Sequence, residues 1–318
     1  MTCTNLSLHS VSQHIGYDNL ANILEANLKF YYDWALLCIG GWTDVEITTP
    51  GIYGGDYSSL RVVDDPAFTL GQVWESPRKD FVWEQNINYT DYTGGTHNPN
   101  PVGVPYINSI LTTETYYINH PEGKVVFDNA QSTTASVQLD YSYRYVQIYK
   151  ADDAPWWKAL QFNSHRVDSE QFQQLGSGEW SIFGEHRVQM PAVVIESVPR
   201  GVSKGWELGS NSKEASRDIL FHIFTENRGD RNNLMDIFNL QTERKIPLFD
   251  TNLIAEANAY PLNYRGELVN SINFDDMVSA TGYKWNNCKM ENSTITNITQ
   301  LHPNLFTAVV RTTMSIIV

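Results

Sequence analysis

Eight histidines are the side chains of this sequence best suited to proton transfer or to metal binding. Helical metal sites place two histidines three or four residues apart, and no two of these have that spacing. His222 lies in the apolar segment 219–224, so we expect a hydrogen-bonded core residue. His120 and His302 each precede a proline, which favours turns. The eight are His9, His14, His97, His120, His165, His186, His222 and His302.

Adjacent carboxylates occur at Asp64-Asp65, Asp152-Asp153 and Asp275-Asp276. A glycoside hydrolase needs two carboxylates that face each other across a cleft, and neighbours along a chain do not. Each pair lies at a predicted turn or helix start, where aspartate oxygens accept hydrogen bonds from backbone amides. We therefore expect these pairs to cap backbone and not to catalyse.

Other motifs of catalysis or binding are absent or incomplete in the sequence. The glycine-rich segment 51–55 lacks the Lys and Ser/Thr of a phosphate-binding loop, and no GxGxxG, GxSxG or HExxH occurs. Arg228-Gly229-Asp230 spells an adhesion tripeptide, but Gly229 is predicted to serve a turn and Asp230 to cap a helix. The sequence thus predicts no enzyme activity and no catalytic, cofactor-binding or metal-binding residues.

Aromatic side chains are the remaining chemical signal, since they make up 12% of the residues. Aromatic faces stack on sugars, but they also dominate cores and protein interfaces. No internal repeat places them on one exposed face, so we favour core and interface over carbohydrate binding. The residues considered are Trp74, Trp83, Trp156, Trp157, Trp180, Trp206, Trp285, Tyr141, Tyr143 and Tyr145.

Composition excludes several classes of protein. The 318 residues contain 22 Lys and Arg against 36 Asp and Glu, a net charge of −14, which argues against a protein that grips nucleic acid. Only 18% of the residues are charged, which suits surfaces buried against partners. Cys3, Cys38 and Cys288 form no CxxC pair, so three thiols made in a reducing cytoplasm are expected. Four glycosylation sequons, including Asn292-Ser293-Thr294 and Asn297-Ile298-Thr299, are interpreted as polar turns.

The elements that must position these side chains begin with one long helix, predicted over residues 19–39. Apolar residues recur there every three or four positions, with Asp18 as N-cap and Gly40-Gly41 as stop. From Trp42 to Tyr149, short β-type segments alternate with turn residues, and the clearest hairpin spans 118–127 around Gly123. Residues 137–145 alternate apolar and polar, which predicts one half-buried antiparallel strand.

The second half predicts a mixture of helix and strand. Asp153 and Pro155 open a helix, and an apolar strand at 219–224 leads into a helix at 230–242 and a strand at 246–249. Residues 304–318 alternate in hydrophobicity, so we expect the chain to finish within a sheet. The predicted fold is α+β: mainly antiparallel β with a long N-terminal helix and one βα unit in the C-terminal half. The provisional domains are 1–155 and 156–318, or a single domain.

Seven segments of this sequence resemble virion structural proteins of contractile-tailed bacteriophages, of the cyanophage type. They are Ala35–Trp42, Leu60–Pro66, Gly71–Glu75, Tyr141–Val146, Ala151–Trp157, Glu185–Val194 and Pro303–Arg311. They extend across most of the chain, and they are scaffold segments without catalytic signatures.

The resemblance implies a virion protein made in the host cytoplasm. It further implies a neck component, such as a head-to-tail connector or tail terminator ring, that forms a ring-shaped homo-oligomer and contacts other head, neck or tail proteins. Neither specific nucleic-acid binding nor membrane association is expected. The alternatives are a capsid decoration or baseplate protein, a carbohydrate-binding β module for host attachment, and a cell-wall hydrolase.

Overall fold

The structure, a computed structural model, describes residues 16–47, 56–84, 86–162, 171–184, 186–207, 212–279 and 282–317. Packing separates the chain into two units. The terminal unit takes the described residues of Met1–Tyr31, Ile148–Ala259 and Phe274–Val318, and the inserted unit takes those of Tyr32–Gln147 and Tyr260–Asn273. The division into domains 1–155 and 156–318 stays a prediction; the packing changes from the inserted to the terminal unit at Gln147–Ile148.

Five helices and twenty strands are assigned within the described residues. The helices are α1 (Leu20–Leu37), α2 (Pro155–Phe162), α3 (Arg228–Asn239), α4 (Thr251–Glu256) and α5 (Phe274–Ser279). The strands are β1 (Trp42–Val45), β2 (Ser59–Val62), β3 (Val73–Glu75), β4 (Tyr89–Thr90), β5 (Thr96–His97), β6 (Tyr106–Ile107), β7 (Ile110–Leu111), β8 (Tyr116–Asn119), β9 (Lys124–Phe127), β10 (Val137–Gln138), β11 (Tyr141–Arg144), β12 (Gln147–Lys150), β13 (Phe172–Gly176), β14 (Glu179–Ile182), β15 (His186–Gln189), β16 (Ala192–Gly205), β17 (Lys213–Thr225), β18 (Lys245–Phe249), β19 (Lys284–His302) and β20 (Leu305–Ile317).

The inserted unit is built from short antiparallel strands. Its largest sheet has the order β7-β6-β10-β2-β3-β9-β8, while β1 pairs with β11 and β4 with β5. The predicted hairpin at 118–127 is confirmed as β8 and β9, and Gly123 has φ 65°, the left-handed conformation that glycine adopts without steric cost. Leu60, Trp74, Phe127 and Tyr141 belong to the apolar cluster that this arrangement buries.

The terminal unit contains longer strands. Its main sheet has the order β12-β16-β17-β20-β19-β18, and β13, β14 and β15 form a separate sheet. β20 pairs antiparallel with both β17 and β19, so the predicted C-terminal strand is confirmed within the chain's own sheet. Ala308, Val310, Met314 and Ile316, which alternate along β20, are at most 2% exposed. Val318, predicted on the same face, lies outside the described residues.

Helix α1, predicted over 19–39, spans Leu20–Leu37, and its N-cap differs from the predicted one. The Asn22 amide donates to Asn19 Oδ1 at 3.1 Å, so Asn19 and not Asp18 accepts the capping hydrogen bond. At the other end the Gly41 amide donates to the Leu36 carbonyl at 2.9 Å and Gly40 has φ 83°. This is the glycine-terminated helix end that the Gly40-Gly41 pair predicts.

Two further helix starts correct the predicted caps. Asn227 caps α3 by accepting from the Asp230 amide, so the helix begins at Arg228 and Asp230 lies in its first turn. Before α2, the Asp153 carboxylate forms an ion pair with Lys150 at 2.9 Å. The residue directly before the helix is Ala154. The N-cap of α3 therefore lies three residues before the predicted Asp230, and the residue preceding α2 lies one residue after the predicted Asp153.

The single strand predicted over 137–145 is wrong. Val137–Gln138 belong to β10 in the large sheet, whereas β11 pairs with β1. All four residues of β11 are buried, including Ser142 and Arg144, which the alternating pattern placed on an exposed face. The alternation fails because both faces of β11 are covered, with Ser142 hydrogen-bonded to Asp44 and Arg144 paired with the buried Glu84.

The architecture as a whole is α+β and mainly antiparallel β, as predicted. β17, α3 and β18 follow one another where the βα unit was predicted, and both strands belong to the main sheet. None of the described helices combines the length and the apolar character needed to cross a membrane. Cys38 is exposed and Cys288 is buried, both as thiols, and Cys3 lies outside the described residues.

Candidate functional site

The most concentrated group of charges in the inserted unit surrounds Arg144 of β11. Its side chain is 3% exposed, and its Nε lies 3.2 Å from Asp80 Oδ1. Its Nη2 donates to Glu84, whose side chain is completely buried, and its Nη1 donates to the Asp33 carbonyl at 3.1 Å. One guanidinium thus connects three separate segments of the unit, and Trp83 lies 5.9 Å from it in a cation–π contact.

The ionisation of this Arg144 cluster follows from one cation among several carboxylates. Burial raises the pKa of Glu84 to about 7, against the opposing effect of Arg144. Although burial opposes it, the carboxylates of Glu84, Asp80 and Asp33 hold the pKa of Arg144 above its usual range. The guanidinium therefore stays charged, and Glu84 is the carboxyl that takes up a proton near neutral pH. Enzymes use such raised pKa values for acid catalysis, but here the carboxyl contacts the guanidinium inside the unit and not a cleft.

A second pairing of acid and histidine lies in the β4–β5 hairpin. Asp91 accepts hydrogen bonds from the Thr93 hydroxyl at 2.7 Å, the Gly95 amide at 2.9 Å and His97 Nε2 at 2.9 Å. The Thr93 hydroxyl, His97 and the Gly95 amide together hold the pKa of Asp91 well below its usual range. Hydrolases orient a catalytic histidine with such a carboxylate, but this carboxylate is saturated by donors from its own turn. Its geometry fixes the hairpin, whose neighbouring residue Tyr92 is 100% exposed.

His222, predicted as a hydrogen-bonded core residue, is hydrogen-bonded and partly buried in the terminal unit, with 12% of its side chain exposed. Its Nε2 lies 2.8 Å from Glu196 Oε2, and Gln161 donates to the other oxygen of Glu196 at 2.8 Å. The Trp157 ring lies 4.2 Å from the His222 ring. The hydrogen bond from His222 lowers the pKa of Glu196, because it favours the charged carboxylate.

The remaining predicted residues are distributed and do not converge. Asp65 accepts from the Ala67 amide at 3.0 Å, as predicted for a turn. His120 begins the β8–β9 turn with its Nδ1 2.9 Å from the Gly266 carbonyl, and the His302 Nδ1 accepts from the Asn304 amide at 3.1 Å. Within the described ranges, no three His, Cys, Asp or Glu side chains come close enough to hold a metal ion. His9, His14, His165 and the glycine-rich segment 51–55 lie outside those ranges.

The aromatic residues are used mainly in the cores, as predicted. Trp180 and Tyr141 are completely buried, and Trp156 is 4% exposed. Trp206 and Tyr145 are the exceptions, at 47% and 40% exposed. The sugar-binding alternative therefore has to rely on aromatic side chains that lie at the surface, which include these two.

The outer half of β19 is an uncovered part of the main sheet. β18 pairs with β19 only up to Lys289, and the Met290 amide still donates to the Arg244 carbonyl at 2.9 Å. Beyond Met290, none of the described strands pairs with the outer side of β19. We call Asn292–Leu301 the β19 edge. Ile295 and Ile298 within it are 40% and 51% exposed.

The sequence did not reveal either the Arg144 cluster or the β19 edge. The two sequons at 292–299, interpreted as polar turns, lie within β19, so that interpretation is wrong. The density of β-branched Thr and Ile between them was the available signal for a strand. Arg144 carried no such signal, because its partners Glu84 and Asp80 are distant in the sequence. Comparison with known proteins found no matching family model and no matching curated protein.

Proposed function

We propose that this chain is a non-enzymatic structural subunit of a tailed-phage virion, positioned in the neck as a head-to-tail connector or tail terminator ring. A capsid decoration or baseplate position is the alternative within the particle. The resemblance of seven sequence segments to virion proteins supports the proposal. It is also supported by the fold, which consists mainly of antiparallel strands. The groups with strongly shifted pKa values, Glu84, Arg144 and Asp91, pair with other residues of the same chain.

One observation carries the proposal: apolar side chains are exposed at the edges of sheets in both units. In the inserted unit Ile110 and Leu111 form the edge strand β7 and are 73% and 51% exposed. In the terminal unit the β19 edge exposes Ile295 and Ile298. Uncovered strand edges promote pairing with other chains, so a protein that leaves them apolar is suited to function in an assembly.

Charge is consistent with a position beside packaged DNA. The net charge of −14 repels a duplex, which prevents DNA from adhering to the wall of a channel during packaging and ejection. The same charge would be unfavourable in a protein whose task is to hold DNA. A ring of such subunits around a channel combines repulsion towards DNA with contacts between subunits.

The test is the composition of purified particles of the phage that carries the gene. Mass spectrometry should find the chain at a fixed copy number per particle, and immunogold labelling should place it at the junction of head and tail. Labelling of the capsid surface or of the baseplate would select the alternative position. A chain found in infected cells but missing from particles would contradict the proposal.

A carbohydrate-binding role is the second candidate, and one surface of the inserted unit favours it. Tyr264 is 89% exposed, and the Arg265 guanidinium lies 5.4 Å from the ring centres of both Tyr264 and Tyr117. An exposed aromatic face next to a hydrogen-bond donor is an arrangement that can stack on a sugar ring. Binding on a glycan array that is lost in Tyr264→Ala and kept in Tyr92→Ala would support this role over the structural one.

A further inference from the structure

The edges of the main sheet in the terminal unit are not protected equally. β18, one margin of the sheet, carries Lys245 and Pro247. β16, which has only the four-residue β12 on its outer side, carries Arg200 and Lys204. Proline removes a backbone donor and a charged side chain disfavours burial, so these residues discourage further strand pairing. The outer sides of β18 and β16 are therefore protected against pairing with a further strand.

The β19 edge has neither form of protection. Its ten residues, Asn-Ser-Thr-Ile-Thr-Asn-Ile-Thr-Gln-Leu, include no proline and no charged side chain. Eight of them are exposed, on both faces of the strand, whereas their neighbours on β20 are mostly buried or half-buried. An edge of this length spans about 33 Å at roughly 3.3 Å per residue. Since the other outer strands are protected, we infer that this edge is covered when the protein functions.

A β-bulge gives the edge one apolar face. Ile295 lies opposite Val310 and Ile298 opposite Ala308, with the register shift between Ile295 and Asn297. Residues three apart in a regular strand point to opposite faces. Here the extra residue places Ile295 and Ile298 on the same face, because Val310 and Ala308 are two apart on β20. Their exposed side chains thus form a short apolar strip along the open edge.

The sequence of the edge is complementary to itself in the antiparallel direction. When two copies are aligned about the Thr296–Asn297 bond, Ile295 faces Ile298 of the second copy and Thr294 faces Thr299 of the second copy. Two-fold symmetry repeats each pair, so four isoleucines meet on one face. Cross-strand pairs of β-branched residues stabilise antiparallel sheets. The absence of charge also lets two chains, each of net charge −14, approach here without placing like charges opposite each other.

We propose that the β19 edges of two copies of this chain pair antiparallel in that register, so that the main sheet continues from one copy into the other. The contact is isologous and closes on two copies. It is therefore distinct from the contacts that would build a ring, and it goes beyond the proposed function. A second copy is the occupant that this sequence specifies, because the isoleucines at 295 and 298 meet each other and the threonines at 294 and 299 meet each other.

Two double variants test the register with matched chemistry. Thr294 lies opposite Arg311 and Thr299 opposite Thr307 on β20, so both threonines are on the same face of β19. Residue 294 of each copy would meet residue 299 of the other, which gives two symmetric contacts. In Thr294→Glu/Thr299→Glu, each contact would bring two introduced carboxylates together. In Thr294→Glu/Thr299→Lys, the same pairing would set a carboxylate against an ammonium group twice. Both variants lose the Thr299–Thr307 hydrogen bond of 2.6 Å, so that loss is equal in the two.

Sedimentation velocity should find self-association of the wild type and of the Glu/Lys variant, with the Glu/Glu variant at least ten-fold weaker. Circular dichroism and thermal melting should give equal folding of the two variants. Hydrogen exchange on the wild type supplies a measurement without any substitution: the amides of 292–301 should exchange about ten-fold more slowly in concentrated than in dilute samples. Equal association of the two variants, or exchange in 292–301 that ignores concentration, would overturn the pairing.

Failure of this pairing and failure of the virion assignment give different results. A chain that is present in particles but shows no protection of 292–301 refutes the pairing and leaves the proposed function standing. A chain that pairs through β19 and is missing from particles has the opposite consequence. If both experiments fail, exposed strand edges do not serve assembly in this protein.

Discussion

Arg144 and Glu84 form a buried ion pair in which the glutamate side chain is 0% exposed and the arginine side chain 3%. Asp80 lies on the same guanidinium at 3.2 Å. Removing one partner of a buried pair leaves the other charge uncompensated, at a cost of about 3–5 kcal/mol. The pair therefore makes the stability of the inserted unit depend on Arg144.

Arg144→Met should lower the free energy of unfolding by about 3–5 kcal/mol in urea titrations. The control is Arg187→Met, which breaks the 2.6 Å pair between Arg187 and Glu179 at a position where the arginine is 40% exposed. Exposed pairs contribute about 0–1 kcal/mol, so the control should stay close to the wild type. Equal losses in the free energy of unfolding for the two substitutions would mean that the buried pair contributes no more to stability than the exposed pair.

Glu84 predicts a distinct dependence of stability on pH. Burial raises its pKa in the folded state to about 7, above the ordinary value of 4.5. Between these values the folded state holds a proton that the unfolded state has released, so this contribution is complete at low pH and is lost as pH rises towards 7. The loss amounts to about 3 kcal/mol at 1.36 kcal/mol per pKa unit.

Unfolding free energies measured from pH 4 to 8 in the wild type and in Glu84→Gln test this sign. The unfolding free energy of the wild type should fall relative to that of Glu84→Gln as pH rises. The reason is that the glutamine carries no charge, so its contribution does not change with pH. A constant difference over the range would show that Glu84 is ionised throughout.

The C-terminal strand should be essential for folding and not only for assembly. Ile316 is 2% exposed and its neighbour Ile317 is 39% exposed. Ile316→Ala should cost about 2–5 kcal/mol, whereas Ile317→Ala should cost less than about 1 kcal/mol, as measured by thermal melting. Deleting 312–318 should give insoluble or molten protein, since β20 lies between β17 and β19. A soluble deletion that melts at the wild-type temperature would contradict this.

Duplex DNA should bind the isolated chain no more tightly than about 10⁻⁴ M at physiological salt, the weak end of non-specific affinity. The reason is the net charge of −14. Fluorescence anisotropy with a labelled duplex, titrated at two salt concentrations, gives the affinity and its salt dependence. Micromolar binding with a steep salt slope would reveal a concentrated basic surface and would argue against a channel lining.

Periodicity in the sequence predicted the elements whose environment changes regularly along the chain. β20 is an example, because its alternating apolar residues lie on one buried face of a central strand. The end of α1 was predictable for a local reason, since Gly40 adopts a left-handed conformation that favours glycine. In both cases the information lies within a few neighbouring residues.

The features that escaped prediction depend on partners distant in the sequence. Arg144 is buried because Glu84 and Asp80 meet it, and polarity alone placed it at the surface. The two sequons within β19 were interpreted as polar turns, and Asn and Ser residues favour turns when they are considered locally. Pairing with β20 overrides that preference and makes the segment a strand. The exposed edge could be recognised only once its neighbours in the sheet were known.

Cryo-electron microscopy of intact particles of the phage that carries the gene tests the central claim most directly. Density should be found at the junction of head and tail, repeated around the particle axis, into which the six-stranded sheet with β19 and β20 fits. If every density of the neck, capsid surface and baseplate is accounted for by other proteins, this chain is not a structural subunit of the virion.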